Sequence, residues 1–226
     1  MLMKVDKPGQ IENGDALPAG LAEVGGPRPE IQLYNGAMFS MLEPDPHLMT
    51  ADAIAVGLAN LCRFCGQIDD FYSNAQHSVL VALLAPNDMP SQRYAILHDA
   101  DEAFGLTDMA TPYKKIFPDF SAMQKRAGRI LFDFHGVDHR VSGRMKHFDR
   151  LALAIEKRDL KYEVPGYIES GPDPIDAVRI DPLLPREARE LFLRAFNRIF
   201  LDDKPVTAAW LPGGFHVDPD FRCAVA

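Results

Sequence analysis

Apolar residues recur at helical spacing along most of this chain, while the period of two that marks strands almost never appears. That contrast excludes sandwiches, barrels and doubly wound sheets. Thr50, ahead of Ala51-Asp52-Ala53-Ile54, is placed to cap a helix reaching about Leu61, because its hydroxyl can accept from one of the free N–H groups of a first turn. Ser73-Asn74-Ala75-Gln76 has the form of a capping box and opens a second helix through Val79, Leu80, Leu83 and Leu84. Ser91 is read as the cap of a third, through Tyr94, Ile96 and Leu97, with Gly105 as its stop. Over 121–135, Met123, Ala127, Ile130, Leu131 and Phe134 keep the period up to Gly136. Over 146–160 the stripe is Phe148, Leu151, Ala152 and Ile155, and over 186–200 it is Ala188, Phe192, Ala195, Phe196 and Ile199. The expectation is an all-α fold of six or seven helices, a compact bundle. One minor N-terminal β-hairpin over 31–39 turns at Asn35-Gly36, a pair suited to a type I′ turn.

A chain of 226 residues suits one domain. Residues 1–30, rich in Gly and Pro without apolar period, read as a flexible arm. The domain then runs over 31–226, with an irregular proline-rich connection before the last helix and a partly irregular tail from about 203. Trp210 and Phe215 suggest that part of this tail docks. The net charge of −8 lacks the basic face that wrapping a nucleic-acid polymer needs. No apolar run approaches the ~18–20 residues of a membrane span. The N-terminus lacks the basic-then-apolar order of a secretory signal. Three cysteines without that signal point to reduced thiols and a cytoplasmic protein. Cys62-Arg63-Phe64-Cys65 has the spacing of half a zinc clip but has no second pair to complete it.

The chemistry centres on Leu97-His98-Asp99-Ala100-Asp101-Glu102. A His-Asp dipeptide alone is more often an ordinary helical pair than a ligand pair. His77, however, stands among Val79, Leu80 and Val81, where an unpartnered imidazole would be costly to bury. Asp149, beside Phe148 and Leu151, would be costlier still. A divalent cation offsets all of these costs together. Two imidazoles and two carboxylates from separate helices make a bundle metal site, with His77, His98, Asp99 and Asp149 as ligands.

The order His…His-Asp…Asp, with its flanks, resembles the HD-domain phosphohydrolase superfamily. The flanks are Cys62-Arg63-Phe64-Cys65-Gly66, Phe71-Tyr72-Ser73-Asn74-Ala75-Gln76-His77-Ser78, Leu97 to Ala103, Thr111-Pro112-Tyr113-Lys114, and Phe148 to Ala154. They are similar to the compact bacterial and phage nucleotidases, above all the phage dATP triphosphohydrolases of the 2-aminoadenine DNA pathway and related 5′-nucleotidases. Many such relatives carry Glu just before the first His, where this chain has Gln76.

The resemblance implies metal-dependent hydrolysis of deoxynucleotides. One product pair would be deoxyadenosine and triphosphate from dATP, in the host cytoplasm if phage-encoded. The alternatives are a deoxynucleoside 5′-monophosphatase and a non-catalytic nucleotide-binding module. It implies a water-orienting role for Glu102, which lies four residues after His98 and so one turn along the same helical face, about 5–6 Å away between Cβ atoms. Asp108 takes a general acid/base role, with a turn residue as the plainer reading. Arg63 and Lys114 would contact phosphate or sugar, unless they are plain surface cations. Phe64 and Tyr72 would pack on base or sugar, unless they are core aromatics. Asp101 and the histidines at 135, 139, 147 and 216 read as surface or loop residues. Mn, Fe, Co, Ni or Zn would suit the ligands, with Mg²⁺ accompanying a triphosphate. Assembly into a homo-oligomer is expected, with the Phe-rich 186–200 helix as the face offered.

Overall fold

The computed structural model describes residues 30–106, 114, 116–161 and 171–221. The arm over 1–29, Asp108, the segment Thr111-Pro112-Tyr113 and the end of the tail lie outside the described residues. Among these, the architecture is mainly helical, as the periodicity requires. Six α-helices are present among the described residues: α1 Ala51–Asn60, α2 Asn74–Leu84, α3 Met89–Leu97, α4 Pro118–His135, α5 Ser142–Leu160 and α6 Pro185–Phe200. No helix among them is long and apolar enough to cross a membrane.

α2 is the axis. Every one of its residues is buried, which is why its hydrophobicity runs all round rather than along one stripe. α1, α3, α5 and α6 pack around it. The apolar face of α6 is spent in this core: Phe192 and Ala195 are fully buried, and Phe196 stacks on Phe200 at 4.4 Å. The Phe-rich face expected to serve assembly therefore faces inward.

Caps explain where the helices start. The Thr50 hydroxyl accepts from Ala53 N–H at 3.3 Å, and Ser73 accepts from Gln76 N–H at 3.2 Å. Gln76 does not return the bond that a capping box requires. Its side-chain amide instead donates to the carbonyls of Asp181 and Gly214, both at 2.8 Å, and accepts from Leu183 N–H at 2.9 Å. The cap of α3 is Asp88, accepting from Ser91 N–H at 3.0 Å, so Ser91 is the third helical residue. α3 also stops earlier than expected, at Leu97, and a separate 3₁₀ turn over Ala100–Phe104 carries the chain to Gly105.

Two small antiparallel sheets complete the fold. In the first, β1 Ile31–Gln32 pairs with β2 Met38–Phe39. Only Gly36 of its turn has positive φ (88°), and Gly36 N–H donates to Leu33 O. A type I′ turn needs positive φ at two central residues, so this is a type I turn closed by a left-handed glycine. In the second, β3 Val178–Ile180 pairs with β4 Phe215–Val217, giving the tail more order than its composition suggests.

At Gly57 in α1, an added Cβ would collide with the carbonyl oxygen of Ala103 and lie 2.6 Å from its Cα. The missing side chain lets α1 press directly on the 3₁₀ turn that carries Asp101 and Glu102.

Candidate metal centre

Four elements bring the cluster together: α2 supplies His77, the end of α3 supplies His98, the break after it supplies Asp99, and α5 supplies Asp149. In a continuous helix, neighbouring side chains diverge by about 100°. Asp99 leaves helical geometry (φ −112°, ψ 15°), and its carboxylate thereby reaches the same point as the His98 ring, with Oδ2 3.2 Å from Nε2.

Both imidazoles are held from behind. His77 Nδ1 lies 2.5 Å from Glu156 Oε1, and His98 Nδ1 lies 2.8 Å from the carbonyl of Ala95. Those oxygens can only accept, so each Nδ1 carries the proton and each Nε2 points its lone pair into the cluster. The two Nε2 atoms are 3.2 Å apart. Two lone pairs facing one another at that distance repel unless a proton or a cation sits between them. Asp149 Oδ1 lies 3.3 Å from His77 Nε2 and 3.8 Å from His98 Nε2, while Asp99 Oδ2 lies 3.8 Å from His77 Nε2. Ligands about 2.0–2.1 Å from one ion stand roughly 3.0–3.4 Å from one another. The 3.2 and 3.3 Å separations fit and the 3.8 Å ones are looser; the His77-His98-Asp149 group, buried at His77 and half-buried at the other two, can hold a metal ion, with Asp99 at its side.

Charge tells the same story. Burial works against protonating His98, yet the Asp99 carboxylate beside it, backed by Asp149, raises its pKa to about 10. Burial likewise opposes charge on Asp99 and Asp149, and the two imidazoles hold both carboxyls below the usual range. The protein has assembled a negative pocket that draws in positive charge, whether a proton or a divalent cation.

Glu156 escapes sequence reading because it falls in the charged run Glu156-Lys157-Arg158-Asp159. Its signal was position: it lies two helical turns after Asp149, and Ala152 and Ile155 between them are buried. It is fully buried, and Arg63 Nε donates to its second oxygen at 3.0 Å. Arg63 also stands 4.0 Å from Asp99 Oδ2. The turn that aims Arg63 inward runs through Phe64 and Cys65 at φ 56° and 54°, left-handed conformations costing about 1–2 kcal/mol each. Arg63 is therefore an interior counter-ion rather than a surface cation. The half-buried Phe64 ring packs beside its guanidinium (5.8 Å) and Lys161 (5.5 Å). Tyr72 is fully buried and offers no face to a ligand, which corrects its reading as a substrate contact; burial and the nearby Glu156 raise its pKa well above the ordinary value.

Glu102 belongs to the 3₁₀ turn and not to α3, so the one-turn helical spacing from His98 does not apply. It is buried and accepts from Asn74 Nδ2 (2.6 Å), Lys114 Nζ (3.0 Å) and Gln124 Nε2 (3.1 Å). Asp101, expected at the surface, is buried at 7% exposure, and desolvation with the adjacent Asp99 charge raises its pKa to about 7. His135 is half-buried and bonds the Met49 carbonyl, whereas His147 and His216 are exposed.

The cluster opens into a cleft of about 520 Å³. His98, Asp99 and Asp101 lie along it, with Lys114, Lys125 and Arg129 in its walls and Tyr94 packed edge-on to Phe132 at 5.1 Å.

No protein-family model matches the chain. It is similar to the uncharacterized protein YfdR of Escherichia coli strain K12, 31% identical over 169 residues, which cover 74% of this chain and 93% of that protein. An uncharacterized protein of Rhodobacter capsulatus is 30% identical over 163 residues, 69% of this chain and 82% of its own length.

Proposed function

The chain belongs to the family of YfdR, and we propose that it is an HD-type metal-dependent phosphohydrolase acting on deoxynucleotides, with dATP as substrate and deoxyadenosine and triphosphate as products. The observation that carries this reading is the convergence of two Nε2 lone pairs and the Asp149 carboxylate, with Asp99 3.2 Å from His98, beside a cleft whose walls carry Lys114, Lys125 and Arg129.

The donors of His77, His98, Asp99 and Asp149 suit a borderline cation, Mn, Fe, Co, Ni or Zn. Such an ion supplies Lewis acidity toward a phosphoryl oxygen and lowers the pKa of water. The protein's own groups do the rest. Glu156 and the Ala95 carbonyl fix the imidazole tautomers. Glu102 aims the Lys114 ammonium, where a point charge can meet phosphate, and its carboxylate is the group we assign to orienting the attacking water. The Tyr94–Phe132 pair offers the cleft an aromatic surface of the kind a nucleobase packs against. Arg63 acts through Glu156 and Asp99 rather than by gripping phosphate.

The test is ion-exchange analysis of products after incubation with each dNTP and each dNMP across a metal panel. Triphosphate and deoxyadenosine from dATP are expected. Phosphate release from dAMP with dATP untouched would transfer the site to a 5′-monophosphatase, and inertness toward all substrates at full metal occupancy would leave a nucleotide-binding module.

A further inference from the structure

Cys62 and Cys65 are too few to build a structural zinc site, and both are free thiols. They flank the turn that aims Arg63 inward. Cys62 opens the 3₁₀ turn Arg63–Gly66, and Cys65 lies within it. Across such a turn, residues three apart stand roughly 6 Å from one another between Cα atoms, inside the about 4.4–6.8 Å that a disulfide spans. The pair is within reach of closure.

The two thiols are mounted differently. Cys62 is half-buried and fixed by an antiparallel bridge to Ser73, the cap of α2, while Arg63 N–H beside it donates to Tyr72 O at 2.9 Å. Cys65 is exposed, with left-handed backbone at φ 54°, next to Phe64 at φ 56°. An oxidant in solution therefore meets Cys65 first. The two left-handed residues are the strained part of the turn, so they and not the bridged Cys62 give way on closure. Arg63 and Phe64 lie inside the ring that would form. Arg63 Nε donates to Glu156 Oε2 at 3.0 Å, and the other oxygen of Glu156 holds His77. A shift of the guanidinium thus reaches the cluster through a single carboxylate.

We infer that Cys62 and Cys65 are a reversible thiol–disulfide pair that regulates the metal site. In the reduced chain the turn keeps Arg63 on Glu156; the closed disulfide pulls Arg63 away and loosens the hold on His77. The oxidant is a small-molecule disulfide such as oxidised glutathione. Cys65, as thiolate, attacks one of its sulfurs, the S–S bond breaks, and one glutathione leaves. Cys62, as thiolate, then attacks the Cys65 sulfur, forming the Cys62–Cys65 bond and expelling the second glutathione. Two protein thiols are oxidised, one disulfide is reduced, and the two protons pass to the departing glutathiones. The inference concerns the metal site alone, whatever substrate that site serves.

The experiment uses the full metal-free chain carrying Cys223→Ser, a position outside the described residues, so that only this pair can close. The chain is equilibrated with oxidised glutathione and freed of excess. Intact mass and peptide mapping locate the bond, and competition with a chromophoric chelator reads the affinity for Mn²⁺, a hard ion that leaves thiols alone. Loss of two hydrogens, a Cys62–Cys65 cross-link and an affinity about tenfold lower are expected, with full recovery in dithiothreitol. Cys62→Ser/Cys65→Ser, taken through the same treatment, should keep the affinity of the reduced chain. Mixed disulfides that persist without ring closure overturn the inference, as does a closed ring with unchanged affinity. So does an equal loss of affinity in the double-serine variant, or a reduced chain that binds no Mn²⁺. Product analysis decides the phosphohydrolase reading separately.

Discussion

The two sides of the cleft are built to opposite specifications. On the α2–α5 side, His77 and Glu156 are fully buried, with His77 Nδ1 against one Glu156 oxygen and Arg63 Nε donating to the other. On the α4 side, Lys125 and Arg129 are exposed, and the helix is tied down by Arg126 to the Leu42 carbonyl and by His135 to that of Met49. The difference teaches what each kind of wall can supply. An ion needs donors placed within tenths of an ångström, which only a packed interior provides. An exposed helix face supplies charge and room without that order.

Breaking the buried side should have the largest effect. His98→Ala or Asp99→Ala is expected to abolish turnover and most metal binding while the helices remain, as read by metal analysis and circular dichroism. Full activity with stoichiometric metal in either variant would remove the cluster from the mechanism. Glu102→Gln should retain the metal and lose about two to four orders of magnitude in kcat, the usual worth of a proton-transfer group. Loss of metal in that variant would make Glu102 a ligand and overturn the role assigned here.

Glu156→Gln sharpens the comparison, because it touches no substrate and still bears on the ion through His77. Metal affinity should fall about 10- to 100-fold, the range found for groups that orient ligating histidines, and Glu156→Leu should fall further. Competition with a chromophoric chelator reads this directly, and an unchanged affinity in both would reduce Glu156 to a structural ion pair with Arg63.

A smaller effect comes from pH in the metal-free protein. The folded pKa of His98 is raised from 6.5 to about 10, so its contribution to stability is full below about pH 6.5 and is lost as pH rises through 10. Calorimetric Tm of the stripped protein should decline over that window. Bound metal takes the place of the proton, so the loaded protein should hold its Tm and metal affinity should climb with pH. Parallel Tm curves for the two forms would show that proton and metal do not share the site.

The readable parts of this molecule were the local ones. Thr50 and Ser73 cap their helices within a few residues of themselves, and the stripe of α6 declares its face. His77 could be singled out because burying it alone would be costly; Asp99 and Asp149 keep 28% and 47% of their side chains exposed, so for them the order His…His-Asp…Asp was the signal. What stayed hidden depends on distant approach. Asp101 is interior because α4 covers it at Gly128, and Arg63 is interior because two left-handed residues turn it inward. The β3–β4 sheet pairs short segments far apart in sequence. The helical spacing from His98 to Glu102 misled because the helix that would justify it ends between them.

Gln76 carries a consequence for the order in which this protein is made. The residue next to His77 bonds to Asp181, Leu183 and Gly214, all of which follow Asp149 in the chain. On the ribosome, all four residues of the cluster have been synthesised before the turn bearing His77 acquires its full set of partners. Until Gly214 emerges, that buried amide lacks one of its acceptors, a deficit of about 1–3 kcal/mol. The turn that carries His77, first of the cluster in sequence, is thus among the last to complete its bonds.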